Sequence, residues 1–351
     1  MALPDPTYVF RPMTFLAFMT QWFTMMMNGS FMAMISTNWN GVFPTGTPVK
    51  RAWTGIWPID YVTGLLVVFF GSVINLADLS DVGPLLMLVD LVFVLVVFNM
   101  MTLVEDRRNR KTGYLRYTAN WQFLWNWCGA AAILPIYLHL YFKERSTRRP
   151  RVPKDQSQAL PFTAVWSVLI SLPLLIPGAI GSHPFKIQDA AVFWFFAPLT
   201  LGPFQDLVSY MVSSQDYKGL ASPIKVSYMI VGLVSSIVRV GVLAYAYISP
   251  DISWSRIYWP NYSLIQSGPN LLTEGAMIFI QWDLLIISLA VIAVGVYMLD
   301  SETSMRASGY ERPLLRFLVI TTIFGPGMGM VWLLCRKETE MDTEEIASKQ
   351  A

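Results

Sequence analysis

Asp283 is the residue whose position most demands an explanation. It follows Gly275-Ala-Met-Ile-Phe-Ile-Gln281-Trp282 and precedes an uncharged run to Leu299, a stretch long enough to cross a bilayer with a carboxyl near its middle. An ionised carboxylate at that depth costs roughly 2.5–3.5 kcal/mol or more, so it is expected to face a wet cavity, a partner or a functional site. Asp60, in Trp57-Pro-Ile-Asp60-Tyr61 at the start of another apolar run, is the first partner to consider. Two carboxyls sharing a hollow push each other's pKa values apart, and desolvation then leaves one protonated near neutral pH, as a general acid requires. The alternative for Asp60 is a cap or hydrogen bond near the membrane interface.

Arg239 lies in the middle of a further apolar run and needs a counter-charge, which Asp90 or Asp283 can supply. Paired with Asp90, it would fix helix packing or take part in catalysis or transport; paired with Asp283, it would keep that carboxyl ionised and spoil it as an acid. Asp206 follows Pro203-Phe204-Gln205, where proline frees backbone carbonyls that polar groups satisfy. Glu105 and Glu274, at the edges of their runs, complete the set of candidate acids. Gln122, Asn126 and Gln281 are placed to orient a substrate. Trp121, Trp125 and Trp282 belong to an aromatic complement that is mostly interfacial belt, but part of which can stabilise a cation at about 0.5–2 kcal/mol per ring. His139, between Tyr137 and Tyr141, reads as an interfacial histidine; with His183 the only other histidine, no metal site and no cofactor is expected.

The elements that must position these residues are transmembrane helices. Of 351 residues, 54% are hydrophobic and 14% charged, too apolar for an ordinary soluble domain. Apolar runs of bilayer length fall at about 13–35, 55–76, 82–104, 119–142, 161–181, 190–212, 226–248, 275–299 and 314–335, which predicts an all-α, polytopic transmembrane helix bundle of about nine spans. Gln21, Asn28 and Gly29 interrupt the first run and Gly325-Pro326-Gly327 the ninth, so both are expected to kink or re-enter. Residues 1–335 form one membrane domain, and the acidic segment 336–351 is expected to be a disordered tail. Strict alternation of spans puts Asp60, Asp283, Gln122 and Asn126 in one leaflet with Glu105 and Glu274 near its surface, and Asp206 and His139 in the other. Loop lysines and arginines divide evenly, so they assign no orientation.

Several chemistries are excluded or disfavoured. A net charge of +2 makes no case for nucleic acid as a partner. Cys128 and Cys335 both lie in apolar runs, which argues against a disulfide framework. Walker, dinucleotide, nucleophile-elbow and zincin motifs are missing. Asn75-Leu-Ala-Asp78-Leu-Ser-Asp81 lacks the paired aspartate-rich motifs that diphosphate ionisation needs.

The run Trp121-Gln-Phe-Leu-Trp-Asn126-Trp-Cys-Gly through Pro135-Ile-Tyr-Leu-His139-Leu-Tyr-Phe, the proline-rich Phe162 to Pro177 segment and the stretch Phe193 to Tyr210 resemble the fungal integral-membrane terpene cyclases of meroterpenoid biosynthesis, of the ascofuranone and ascochlorin type. The resemblance implies a metal-independent isomerase or lyase in the endoplasmic reticulum membrane. An intramembrane acid there protonates the epoxide of a prenylated aromatic, a lipophilic substrate drawn from the lipid, and the carbocation closes a ring. A transporter using the intramembrane aspartates and Arg239 as relay or ion site is the alternative.

Overall fold

In hydrocarbon a backbone must satisfy its own hydrogen bonds, so apolar runs of this length fold as helices. The computed structural model describes residues 4–108, 113–145, 151–212, 222–300 and 313–350. Its helices are α1 (Thr7–Phe18), α2 (Thr24–Met27), α3 (Ser30–Asn40), α4 (Trp57–Ile74), α5 (Gly83–Arg108), α6 (Thr118–Cys128), α7 (Ala130–Arg145), α8 (Lys154–Leu169), α9 (Leu172–Ala179), α10 (Pro184–Phe196), α11 (Leu201–Val212), α12 (Pro223–Ile248), α13 (Trp254–Tyr258), α14 (Leu271–Asp300) and α15 (Pro313–Gln350). Central to the bundle is α5, apolar on every side and buried along nearly its whole length; it packs against α4, α6, α8, α12, α13, α14 and α15.

Among the described residues seven helical segments, rather than nine, are long and apolar enough to cross a bilayer. The difference comes from runs that break. In the first, a π-helical turn at Met19–Phe23 and a left-handed Gly29 separate α1, α2 and α3. The fourth folds back on itself: Gly129 (φ 87°) parts α6 from α7, and the rings of Trp121 and Tyr137 lie 5.3 Å apart. A straight helix at about 1.5 Å per residue would hold them more than about 20 Å apart.

The ninth run also turns back, although it has the length of a span. Gly325 (φ 88°, ψ 167°) leaves the helical region inside α15, Phe317 meets Trp332 at 6.2 Å, and Gly329 packs on Thr321 and Phe317. The kink expected at Gly325-Pro326-Gly327 is therefore a full reversal, its tip against Arg239, Ser235 and Val97.

These reversals overturn the leaflet assignment made by alternation. Arg107, two residues from Glu105, pairs with Asp206 at 3.4 Å, and Lys225 pairs with Asp342 at 2.9 Å. Alternation placed the members of each pair on opposite sides. After Cys335, α15 continues to Gln350, with Glu338 paired to Arg108 and Asp342 to Lys225.

A hairpin returns its ends to one surface. Tyr114→Cys and Lys143→Cys, both at exposed positions flanking the α6–α7 hairpin, are expected to react with a membrane-impermeant maleimide from the same side of sealed microsomes. A through-going helix would put them on opposite sides.

Candidate active site

The site is built around the tip of the α6–α7 hairpin. A helix that begins inside the bundle starts with backbone N–H groups that have no intrahelical partner. Here the Asp283 carboxylate accepts them, Ala131 N–H at 2.6 Å and Ala130 N–H at 3.3 Å. The indole of Trp22 donates to the carbonyl oxygen of Cys128 at 2.8 Å and closes the other side of the break. Glycine is required at 129 on two counts: its positive φ, and a β-carbon there would lie 3.0 Å from the Phe279 ring.

Gln21, fully buried at the π-helical turn, completes the setting. Its amide donates both to the Phe279 carbonyl oxygen at 3.1 Å and to Asp283 Oδ1 at 2.9 Å. Asp283 Oδ1 thus takes two donors at short range, whereas Oδ2 has only the longer contact from Ala130.

Asp283 forms part of the wall of a chamber of about 270 Å³. Eight aromatic side chains line it: Trp22, Phe31, Phe69, Phe70, Trp125, Trp127, Trp194 and Phe279, with Met25, Met34 and aliphatic residues of α4 and α5 between them. Edge-to-face contacts of Phe279 with Trp22 and Phe69, both at 5.3 Å, and of Phe70 with Trp194 at 5.2 Å hold the rings in place. Asp283 is the only ionisable side chain on this wall and Asn126 the only amide. A carboxyl, one amide and a shell of ring faces suit a proton transfer that generates a cation, which the rings then stabilise.

The expected Asp60–Asp283 pair does not form. Asp60 is buried outside the chamber, and its carboxylate accepts from the backbone N–H groups of Trp53 (3.1 Å), Thr54 (2.8 Å) and Gly55 (2.9 Å) and from the Thr54 hydroxyl (2.9 Å). That is the capping alternative: three donors converge on Oδ1 and one on Oδ2, all from the loop at Trp53–Gly55. Arg239 pairs with Asp90 at 2.5 Å, not with Asp283; Tyr258 donates to Asp90 at 2.9 Å, and the guanidinium lies 4.0 Å from the Tyr258 ring centroid.

The other candidates are dispersed. Glu274 takes the Arg256 guanidinium at 2.6 and 2.8 Å, with Asp81 beside it; burial disfavours that guanidinium's charge, but Glu274 and Asp81 outweigh it and raise the pKa of Arg256. Glu105 lies buried with Arg108, and Asp206 is half exposed beside Arg107. Gln281 donates to the carbonyl oxygens of Arg256 and Ile257 at the end of α13. Gln122 bonds Thr118 and Thr102, Trp121 bonds the Tyr114 carbonyl oxygen, and Trp282 bonds the Tyr262 hydroxyl. Of the residues selected from sequence, Asp283, Asn126 and Trp125 meet at the chamber.

Sequence reasoning missed Gln21 as a partner of Asp283, and it missed Trp22, Phe31, Phe69, Phe70 and Phe279 as chamber wall. Gln21 carried a signal, an amide inside an apolar run; the phenylalanines carried none, since a ring lining a cavity and a ring filling a core look alike in sequence.

Comparison with known proteins adds a family. The CtvD domain model matches residues 7–340. The chain is 28% identical to terpene cyclase DEP1 of Fusarium langsethiae over 345 residues, covering 90% of this chain and 93% of that one. It is 26% identical to terpene cyclase DEP1 of Alternaria brassicicola, with coverage of 91% and 95%, and 24% identical to terpene cyclase sdgD of Emericella nidulans, with coverage of 85% and 83%. No solved structure matches.

The Arg239–Asp90 pair gives a stability test. Because removing one member strands the other's charge, Asp90→Leu or Arg239→Met alone is expected to cost about 3–5 kcal/mol, and the double variant far less. Thermal unfolding of the purified protein in detergent, run as a double-mutant cycle, checks it.

Proposed function

The chain belongs to the CtvD-domain family, and we propose that it is a membrane-embedded terpene cyclase in which Asp283 protonates the terminal epoxide of a prenylated aromatic substrate. The observation that carries the reading is the coincidence on one wall of a single carboxyl and a surrounding shell of aromatic rings. The relatives' printed names, terpene cyclase in each case, support the same class.

The proposed sequence balances without a cofactor. Asp283 Oδ2, the less engaged oxygen, gives its proton to the epoxide oxygen; the C–O bond breaks toward the more substituted carbon, and the epoxide oxygen becomes a hydroxyl. A neighbouring double bond attacks the cation and closes the ring. The sequence ends when Asp283 takes back a proton, either from a carbon beside the cation or from a substrate hydroxyl whose oxygen has captured it. The donors already in place on Asp283, from Ala130, Ala131 and Gln21, meet the negative charge as it develops, with no reorganisation. They also blunt the carboxylate as a nucleophile toward the cation. Asn126 is suited to orient the substrate's oxygen. The membrane in question is proposed to be that of the endoplasmic reticulum.

A second reading draws on one observation: a helix start buried in the bundle, as at Ala130, is a feature of transporter binding sites. It predicts flux across sealed vesicles with no product of altered retention.

The test uses microsomes supplied with an epoxyfarnesyl aromatic and chromatography coupled to mass spectrometry. Asp283→Asn is expected to lower product formation on the order of 10²-fold or more, and Gln21→Leu about tenfold through one lost hydrogen bond to the acid. Asp60→Asn should lower thermal stability by about 1–3 kcal/mol while leaving the rate per folded molecule unchanged. Unchanged turnover in Asp283→Asn would retire the assignment.

A further inference from the structure

Contacts between helix ends sort the molecule into two faces. One face gathers the N-terminus, where the Pro4 carbonyl oxygen accepts from Tyr297 of α14, and the end of α5, where Arg107 pairs with Asp206 of α11. The end of α7 and the start of α12 join it through Tyr141 with Lys337 and Lys225 with Asp342. The opposite face gathers the starts of α5 and α14, tied by Arg256 to Asp81 and Glu274, and the start of α10, tied to the α3–α4 loop by Asp189 with Lys50. Positive charge divides unevenly between them. The second face has Lys50, Arg51, Lys186 and Arg256; among the described residues the first has all the other lysines and arginines except Arg239, which lies inside the bundle. The even division read from sequence arises only when each apolar run is counted as one crossing. With the two hairpins in place, the basic face is the cytoplasmic one.

The face poor in charge is then lumenal, and the α13–α14 loop on it carries Asn261-Tyr-Ser263, an acceptor triplet for N-glycosylation. A second such triplet, Asn28-Gly-Ser30, has the same local geometry. In each, the serine hydroxyl and N–H donate to the asparagine Oδ1, at 2.7 and 3.1 Å for Asn261 and at 2.7 and 2.9 Å for Asn28. The two differ in access. Asn28 Nδ2 is buried and Ser30 packs on Gly275, whereas residues 261–264 are all exposed.

We propose that Asn261 is an N-glycan acceptor on the lumenal face, with the N-terminus and the end of α15 in the cytosol. The donor class is a lipid-linked diphosphate oligosaccharide. Asn261 Nδ2 bonds to the anomeric carbon as that carbon's bond to the diphosphate oxygen breaks; the diphosphate leaves with the electron pair, and one Nδ2 proton passes to a base of the host transferase. The inference rests on the preceding reading only for the endoplasmic reticulum, and takes nothing from the cyclase chemistry.

The full chain is expressed in a fungal host and run on a denaturing gel before and after peptide N-glycosidase, a readout that needs no variant to fold. Digestion is expected to move the wild-type band by one glycan. Asn261→Gln and Ser263→Ala should run at the digested position untreated, Ser263→Thr should keep the glycan, and Asn28→Gln should match the wild type. In sealed microsomes Lys143→Cys should react with an impermeant maleimide without detergent. A wild-type band that digestion leaves in place overturns the inference. So does a glycan that survives Asn261→Gln, or Lys143→Cys labelling only after permeabilisation. Product formed by an unglycosylated chain overturns this inference and leaves the cyclase reading standing; a chain glycosylated at Asn261 that turns over no epoxide does the reverse.

Discussion

A helix that starts inside an apolar bundle exposes backbone N–H groups where no water is available, and each such group costs several kcal/mol unless something accepts it. Much of the site follows from how this chain meets that demand at Ala130 and Ala131. The acceptor has to be a side chain on a neighbouring helix, and Asp283 of α14 is that side chain. The interaction serves the fold and the site together: it holds the hairpin tip against α14, and it surrounds one carboxyl with donors aimed at the charge it would carry after losing a proton. Gly129 permits the reversal, Trp22 satisfies the carbonyl on its other side, and Gln21 anchors the carboxyl to the backbone of its own helix.

The remaining buried charges are taken up in packing. Asp90 with Arg239, Glu274 with Arg256, and Glu105 and Glu338 with Arg108 each join helices that the apolar surface alone would let slide. Such pairs add little net stability over well-packed hydrophobic residues, but breaking one is expensive, and they can specify which helix faces which. Because these acids are committed elsewhere, Asp283 is left as the one ionisable group on the chamber wall.

The chamber wall is mostly apolar. Ring faces and aliphatic side chains accept a hydrocarbon of many shapes, and the few polar atoms decide its orientation. The carboxyl of Asp283 and the amide of Asn126 are the polar side chains, apart from the indole N–H groups, among the described residues of that wall. The chain's membership in a family whose relatives are named terpene cyclases agrees with a resemblance already legible from Trp121 to Phe142 and from Phe193 to Tyr210.

Hydropathy alone determined that the chain is a helical membrane protein, because a run of twenty apolar residues has few other ways to satisfy its backbone. It also singled out Asp283 and Arg239, since the cost of a charge in such a run is a property of the run itself. It did not distinguish Asp283 from Asp60, which carry the same local signature. One meets the tip of a buried helix and the other caps the loop at Trp53–Gly55. Nor did it separate a span from a hairpin: residues 119–142 are long enough to cross, and only the contact of Trp121 with Tyr137 shows that they turn back at Gly129. The partner of Arg239, the role of Gln21 and the phenylalanines of the chamber wall were likewise decided by tertiary structure. Burial cost is written into each segment, whereas the identity of the group that relieves it depends on which segments meet.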